Sequence, residues 1–172
     1  MKPNIKYEEH ILENLIKYKY NGARALVILH ERYLRSCIHT WKEAKKLNIK
    51  LPETNDENYK SLETLLRHIL RASRGYMTWI CDKLDLPDPG ISSTPLAETI
   101  EAEVDEYAAH LLEKWRTPLA ETEEEKFHTP TFTSRWGVDY CIDAMLEHAV
   151  MHPIRHEFQL KNLIADQKDI SL

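Results

Sequence analysis

The sequence runs to 172 residues, 42% of them hydrophobic and 30% charged, with only 4 glycines. That composition excludes disordered and collagen-like chains, and it is enough chain to bury a core without disulfides or a structural metal. The net charge of −5 is unevenly spread, because residues 1–50 hold 11 Lys+Arg against 5 Asp+Glu while the remainder carries −11. The basic residues alternate with apolar ones as on a solvated helix face, so no nucleic-acid partner is expected.

No apolar run approaches the roughly 20 residues of a membrane span, and Met1–Glu9 is too charged for a secretory signal, so the expectation is a cytoplasmic protein with no membrane partner. Cys37, Cys81 and Cys141 are far apart, odd in number and never paired as CxxC, which points to small core residues and not to a disulfide frame or thiolate site.

In chain order, a short helix is expected around Tyr7–Tyr18. A first long helix follows over roughly 23–47, with Leu26, Leu29, Tyr33, Cys37, Trp41 and Ala44 recurring every three or four residues and Asn48 ending it. Ser61–Leu84 reads as a second long helix, with Leu62, Leu65, Leu66, Ile69, Ala72, Tyr76, Trp79 and Ile80 inward, stopped by Leu86-Pro87. Thr94 is placed to cap a third, with Pro95 at its first position and Leu96, Ile100, Val104, Tyr107, Leu111 and Trp115 inward. Residues 116–137 read as a long crossover in which Phe127–Thr133 runs extended, with room for a short hairpin. The last helix is expected over about Val138–Leu163. Residues 1–172 thus read as one all-α domain, a four-helix bundle with a short N-terminal helix and a long crossover between helices 3 and 4.

The chemistry lies in the nine histidines. The inward stripe of the last helix reads Val138, Cys141, Met145, His148, His152, His156, Gln159 and Leu163, so three imidazoles stand where a bundle would place Leu or Ile. Imidazoles four residues apart can close on one ion. Since each such step overshoots a turn by about 40°, an adjacent pair is the better chelate, either His148 with His152 or His152 with His156.

A third ligand should come from a facing helix. His68 borders the apolar stripe of the second helix, on a line where Ala72 and Gly75 leave room for a cavity, and a glycine inside a helix hints at close approach by a ligand or a neighbouring helix. Three imidazoles without a thiolate suit Zn²⁺ or Ni²⁺, and also Fe²⁺ or Mn²⁺, and they leave open positions on the ion. Pro153 should disturb the helix between these residues, either turning His152 and His156 to a common point or merely bending with the bundle. His10, His30, His39, His110 and His128 read as surface or core residues, with His110 and His128 able to reach the pocket mouth.

The stretch Thr64–Ala72 with an aromatic at Trp79, together with His148-x3-His152-x3-His156-x2-Gln159, resembles the DinB/YfiT-like superfamily of metal-dependent enzymes over roughly residues 21–165. The resemblance implies a four-helix bundle with a divalent metal on His68, His152 and His156, leaving His148 beside the pocket. It departs from the frequent His-Arg-Gly-Gln ending at His156-Glu157-Phe158-Gln159, and Pro153 is unusual. Some members use low-molecular-weight thiols, so the resemblance implies a thiol S-transferase or hydrolase acting on a small molecule, and a homodimer. In that reading His148 or Glu157 carries protons. The alternative is a non-catalytic metal or small-ligand binding protein, or a stress-response protein.

Overall fold

Four long helices carry most of the chain in the computed structural model, which describes residues 17–170 and the side chains of 17–167. The helices are α1 (Asn21–Lys46), α2 (Leu62–Lys83), α3 (Ile100–Trp115) and α5 (Ile142–Ile170), with a one-turn helix α4 (Glu125–His128) before α5. A 3₁₀ turn at Glu57–Tyr59 precedes α2, and strands β1 (Phe132–Thr133) and β2 (Asp139–Tyr140) pair antiparallel, Phe132 opposite Tyr140. The fold is all-α apart from this hairpin. The short helix expected at Tyr7–Tyr18 falls almost wholly on residues 1–16, outside the described residues, and its last two positions are not helical.

The helix ends follow from local chemistry. Ser61 caps α2 in a reciprocal box with Thr64, each side chain meeting the other's backbone N–H. This satisfies amides that would otherwise lack a partner. Both α1 and α2 close with a left-handed residue, Asn48 (φ 52°) and Asp85 (φ 54°). Behind each, the next amide reaches back five residues, Ile49 to the Ala44 carbonyl at 3.0 Å and Leu86 to that of Cys81 at 2.9 Å, and so consumes an orphan carbonyl.

α5 packs along α1 and α2, and α3 packs on α2 and α1. One apolar cluster runs through all four, with Trp41, Leu66, Ile69, Met77, Ile100, Leu111 and Trp115 fully buried. On α1 the inward face is turned by about one residue from the expected stripe. Val27, His30, Glu31, Leu34 and Ile38 are buried there, while Leu26, Leu29 and Tyr33 lie half-buried on the flank. Two polar residues at the centre of the true face hid it.

These two are satisfied in different ways. Glu31 receives Arg116 Nε and Nη2 at 3.1 and 2.9 Å and Arg35 Nη2 at 2.9 Å. His30 stacks on Trp115 with centroids 3.7 Å apart, and its Nε2 meets Ser73 Oγ at 2.9 Å.

Three boundaries differ from expectation. α3 begins at Ile100 and not beside Thr94, because the backbone before it is held in another conformation. Arg74 Nε donates to the Ile91 carbonyl, Arg67 Nε to that of Pro95, and Tyr107 Oη to that of Ser92, while Thr94 Oγ1 bonds Tyr107 and caps nothing. Leu96, expected inward, is 61% exposed. α5 begins at Ile142 because Asp139–Tyr140 is drawn into the hairpin, which leaves Val138 exposed, and Phe127 is buried on the helical turn α4 and not extended.

Candidate metal centre

α2 and α5 lie side by side, and three imidazoles meet across their seam. His68 Nε2 stands 3.1 Å from His152 Nε2. One ligand nitrogen from each of His68, His152 and His156 falls within 4.8 Å of the other two, with ring centroids separated by 4.6 to 5.2 Å. Two nitrogens bound tetrahedrally to one ion at about 2.0 Å would lie about 3.3 Å apart. The closest pair already has that spacing, and the third nitrogen lies within 4.8 Å of both. The three residues could hold a metal ion.

Their electrostatics suit that task. Burial lowers all three imidazoles from their usual value, His152 to about 2 and His156 to about 4, and for His152 the neighbouring His156 and His68 press the same way. Each ring is therefore neutral at physiological pH and offers a lone pair. Gln159 Oε1 lies 3.0 Å from His156 Nδ1 and can only accept from it, so the proton sits on Nδ1 and Nε2 is left free. Tyr59, from the 3₁₀ turn, donates to the same amide oxygen at 3.3 Å and lies as close to His156 Nδ1. Gln159 does this from an exposed position, not from the inward stripe where it was expected.

α5 stays helical through Pro153, whose ring is buried. The proline removes the hydrogen bond that would otherwise reach the Ala149 carbonyl. Gly75, expected to mark a close approach, has nothing of the protein within 4 Å of where a Cβ would stand. The space beside it is open, so no neighbouring helix makes the close approach that was expected there.

The other expected residues separate. His148 stands one turn before His152, outside the cluster, among aromatic rings. Tyr76 and Trp136 lie 5.5 Å from it and Tyr140 5.7 Å. Glu157 turns the opposite way, to α1. Its buried carboxylate accepts from Ser36 Oγ at 2.7 Å and pairs with Lys161 at 2.5 Å. It ties α5 to α1, and that geometry takes it out of the proton-carrier role expected from its place beside His156.

Among the remaining histidines His30 is core, while His39 and His128 are exposed. His110 accepts from the Ser92 amide, and His10 lies outside the described residues. Cys37 and Cys81 are buried with their thiols pushed up, Cys81 to about 11, as expected of inert core residues.

Tyr59, Trp136 and Tyr140 escaped sequence reasoning because they arrive from a 3₁₀ turn and the β1–β2 hairpin, where no helical period places them. A cleft of about 550 Å³, lined by Leu51, Pro52, Glu53, Thr54, Asn55, Tyr59 and Lys60, shares Tyr59 with the centre but does not contain the histidines. No helix among the described residues is long and apolar enough to cross a membrane. Comparison of the chain with protein-family models, curated proteins and solved structures gives no match.

Proposed function

We propose that the protein is a cytoplasmic, divalent-metal-dependent enzyme of the DinB/YfiT type, in which α1, α2, α3 and α5 form the bundle and His68, His152 and His156 hold Zn²⁺ or Ni²⁺. The observation that carries this reading is the convergence of three neutral imidazole nitrogens, from helices far apart in the chain, within 4.8 Å of one another. A bound +2 ion would favour the deprotonated form of a thiol or water in its open position, which becomes a nucleophile near neutral pH.

The chain's own residues supply the rest. His68, His152 and His156 bind, Gln159 and Tyr59 fix the proton of His156 on Nδ1, and the core under α2 and α5 keeps bulk water from one side of the site. His148, one turn from His152 and linked to it through the ring of Tyr76, is the proton carrier of this reading. The substrate is a small molecule, with a low-molecular-weight thiol or water as the attacking group, and the protein works as a homodimer.

Metal analysis of untagged protein, followed by turnover assays with an electrophile in the presence and absence of added thiol, tests the reading. Stoichiometric metal and metal-dependent turnover are expected. Metal without turnover on either nucleophile assigns a non-catalytic carrier or sensor instead, and absence of metal removes the centre.

A further inference from the structure

Beside the histidine cluster runs a row of aromatic rings that the metal reading leaves without a task. Trp136 lies over His148 with centroids 5.5 Å apart and planes at 28°, Tyr140 packs 5.7 Å from both, and Tyr76 bridges 5.5 Å to His148 and 5.8 Å to His152. The row comes from three separate pieces of chain: α2, the β1–β2 hairpin and α5. Its outer member is half in water. Trp136 is 51% exposed, whereas Trp41, Trp79 and Trp115 are 1%, 8% and 1% exposed, so this is the one indole that the fold does not enclose.

Trp136 is not loosely held. The turn beneath it is closed by Ser134 N–H to the Val138 carbonyl at 2.8 Å, Gly137 N–H to the Ser134 carbonyl at 3.0 Å and Val138 N–H to Ser134 Oγ at 3.1 Å. Gly137 takes φ +80°, which a side-chain-bearing residue rarely adopts. A closed turn thus presents a half-exposed indole that stacks on His148.

A cation stands on the helix face beside this row. Arg155 stands seven residues after His148, two turns along nearly the same line of α5, and three after His152. It is exposed and has no ion-pair partner among the described residues. Its charge lowers the pKa of His148, which together with the shared line of the helix marks it as a neighbour of the row. Asp143 and Glu147 of α5 act on Tyr20, and Asp139, beside Tyr140 on β2, accepts from Thr133 Oγ1 at 2.6 Å. Flat faces attract planar unsaturated groups, and an unpaired guanidinium attracts carboxylates and repels cations.

We infer that Trp136, Tyr140, Tyr76 and Arg155 form a recognition subsite for an aromatic carboxylic acid, its ring laid on Trp136 and its carboxylate paired with Arg155, next to the histidine centre. This rests on the proposed function for its meaning as a substrate subsite, although the ring and anion contacts stand without the metal.

Calorimetric titration of the zinc-loaded protein with benzoate, cyclohexanecarboxylate and benzyltrimethylammonium tests it, with metal content measured on the same samples. Any carboxylate can reach the zinc, so the difference between the two acids isolates the ring. Benzoate should bind about 3- to 10-fold more tightly than cyclohexanecarboxylate, with the cation weakest. Trp136→Leu should erase the preference for benzoate while Trp136→Phe keeps most of it, and Arg155→Gln should weaken both acids about 10-fold.

Equal affinity for the two acids, or a preference that survives Trp136→Leu, overturns the inference even where zinc is stoichiometric and the proposed function stands. A Trp136-dependent preference for benzoate in protein that retains no zinc overturns the metal reading and leaves the aromatic-acid site in place.

Discussion

His68 Nε2 and His152 Nε2 face each other at 3.1 Å, although 84 positions of chain separate them. Two neutral rings at that distance share one proton, and either can give up the arrangement to an ion. His152→Ala removes the ring that His68 meets at 3.1 Å and leaves only two imidazoles in the cluster, so metal retention should fall by orders of magnitude. His148→Ala should keep stoichiometric metal, losing at most about 10- to 100-fold in affinity or activity. Metal content and dissociation constants of the two variants check this, and a His148→Ala protein without metal would show that the chelating pair sits one turn earlier.

Removal of the ion should leave a folded protein. The apolar cluster spans all four long helices independently of the histidines, so a chelator should lower Tm without abolishing the helical signal in circular dichroism. Collapse of that signal on chelation would mean that the centre holds the fold, as in a zinc finger.

Acid should unfold the metal-free protein by a route written in the same imidazoles. Burial holds His156 near pKa 4, His30 near 3 and His152 near 2, against about 6.5 in an unfolded chain. Below about pH 6.5 the unfolded chain protonates these rings and the folded chain does not, so unfolding takes up protons and stability falls as pH falls, down through the folded values. Each such proton contributes a slope of about 1.4 kcal/mol per pH unit. Tm measured from pH 7 to 4.5 should decline, and His30→Phe, which keeps a ring against Trp115, should shallow the decline. An unchanged slope in that variant would remove His30 from the account.

The buried carboxylate of Glu31 gives a fourth expectation. It is 2% exposed and bound by Arg116 and Arg35. Arg116→Ala leaves that charge short of a partner and should cost about 3 kcal/mol, while the double change Glu31→Leu, Arg116→Met should recover most of the loss. Chemical denaturation of both proteins reads the difference. A single change that costs no more than an exposed substitution would mean that Arg35 alone suffices.

How far the sequence could be read depended on whether a residue obeys a helical period. That His68 would meet an adjacent pair from His148, His152 and His156 was legible, because those three lie at one-turn steps on one stripe and His68 borders the apolar face of another helix, whereas the choice of His152 with His156 came from the family resemblance. The start of α3 was not, because what stops the helix from beginning at Thr94 is a set of side-chain bonds from Arg67, Arg74 and Tyr107, distant in sequence or on another helix. The inward face of α1 was misplaced for a related reason. A pattern search rewards Leu26, Leu29 and Tyr33, whereas the core accepts His30 and Glu31 because Ser73, Trp115 and Arg116 satisfy them. Glu157 was assigned a chemical role from adjacency to His156, but neighbours in a helix point about 100° apart, and its partner was α1.

The distance in chain between His68 and His152 also sets an order of events during folding. Closing a loop of 84 residues to bring two imidazoles together carries a loss of chain entropy that local contacts do not repay. An ion present during synthesis therefore meets no preformed claw in the nascent chain, because the C-terminal half of the centre is made last and has to dock on α1 and α2 first. Capture of an ion by all three imidazoles would therefore follow the docking of α5 and could not precede it.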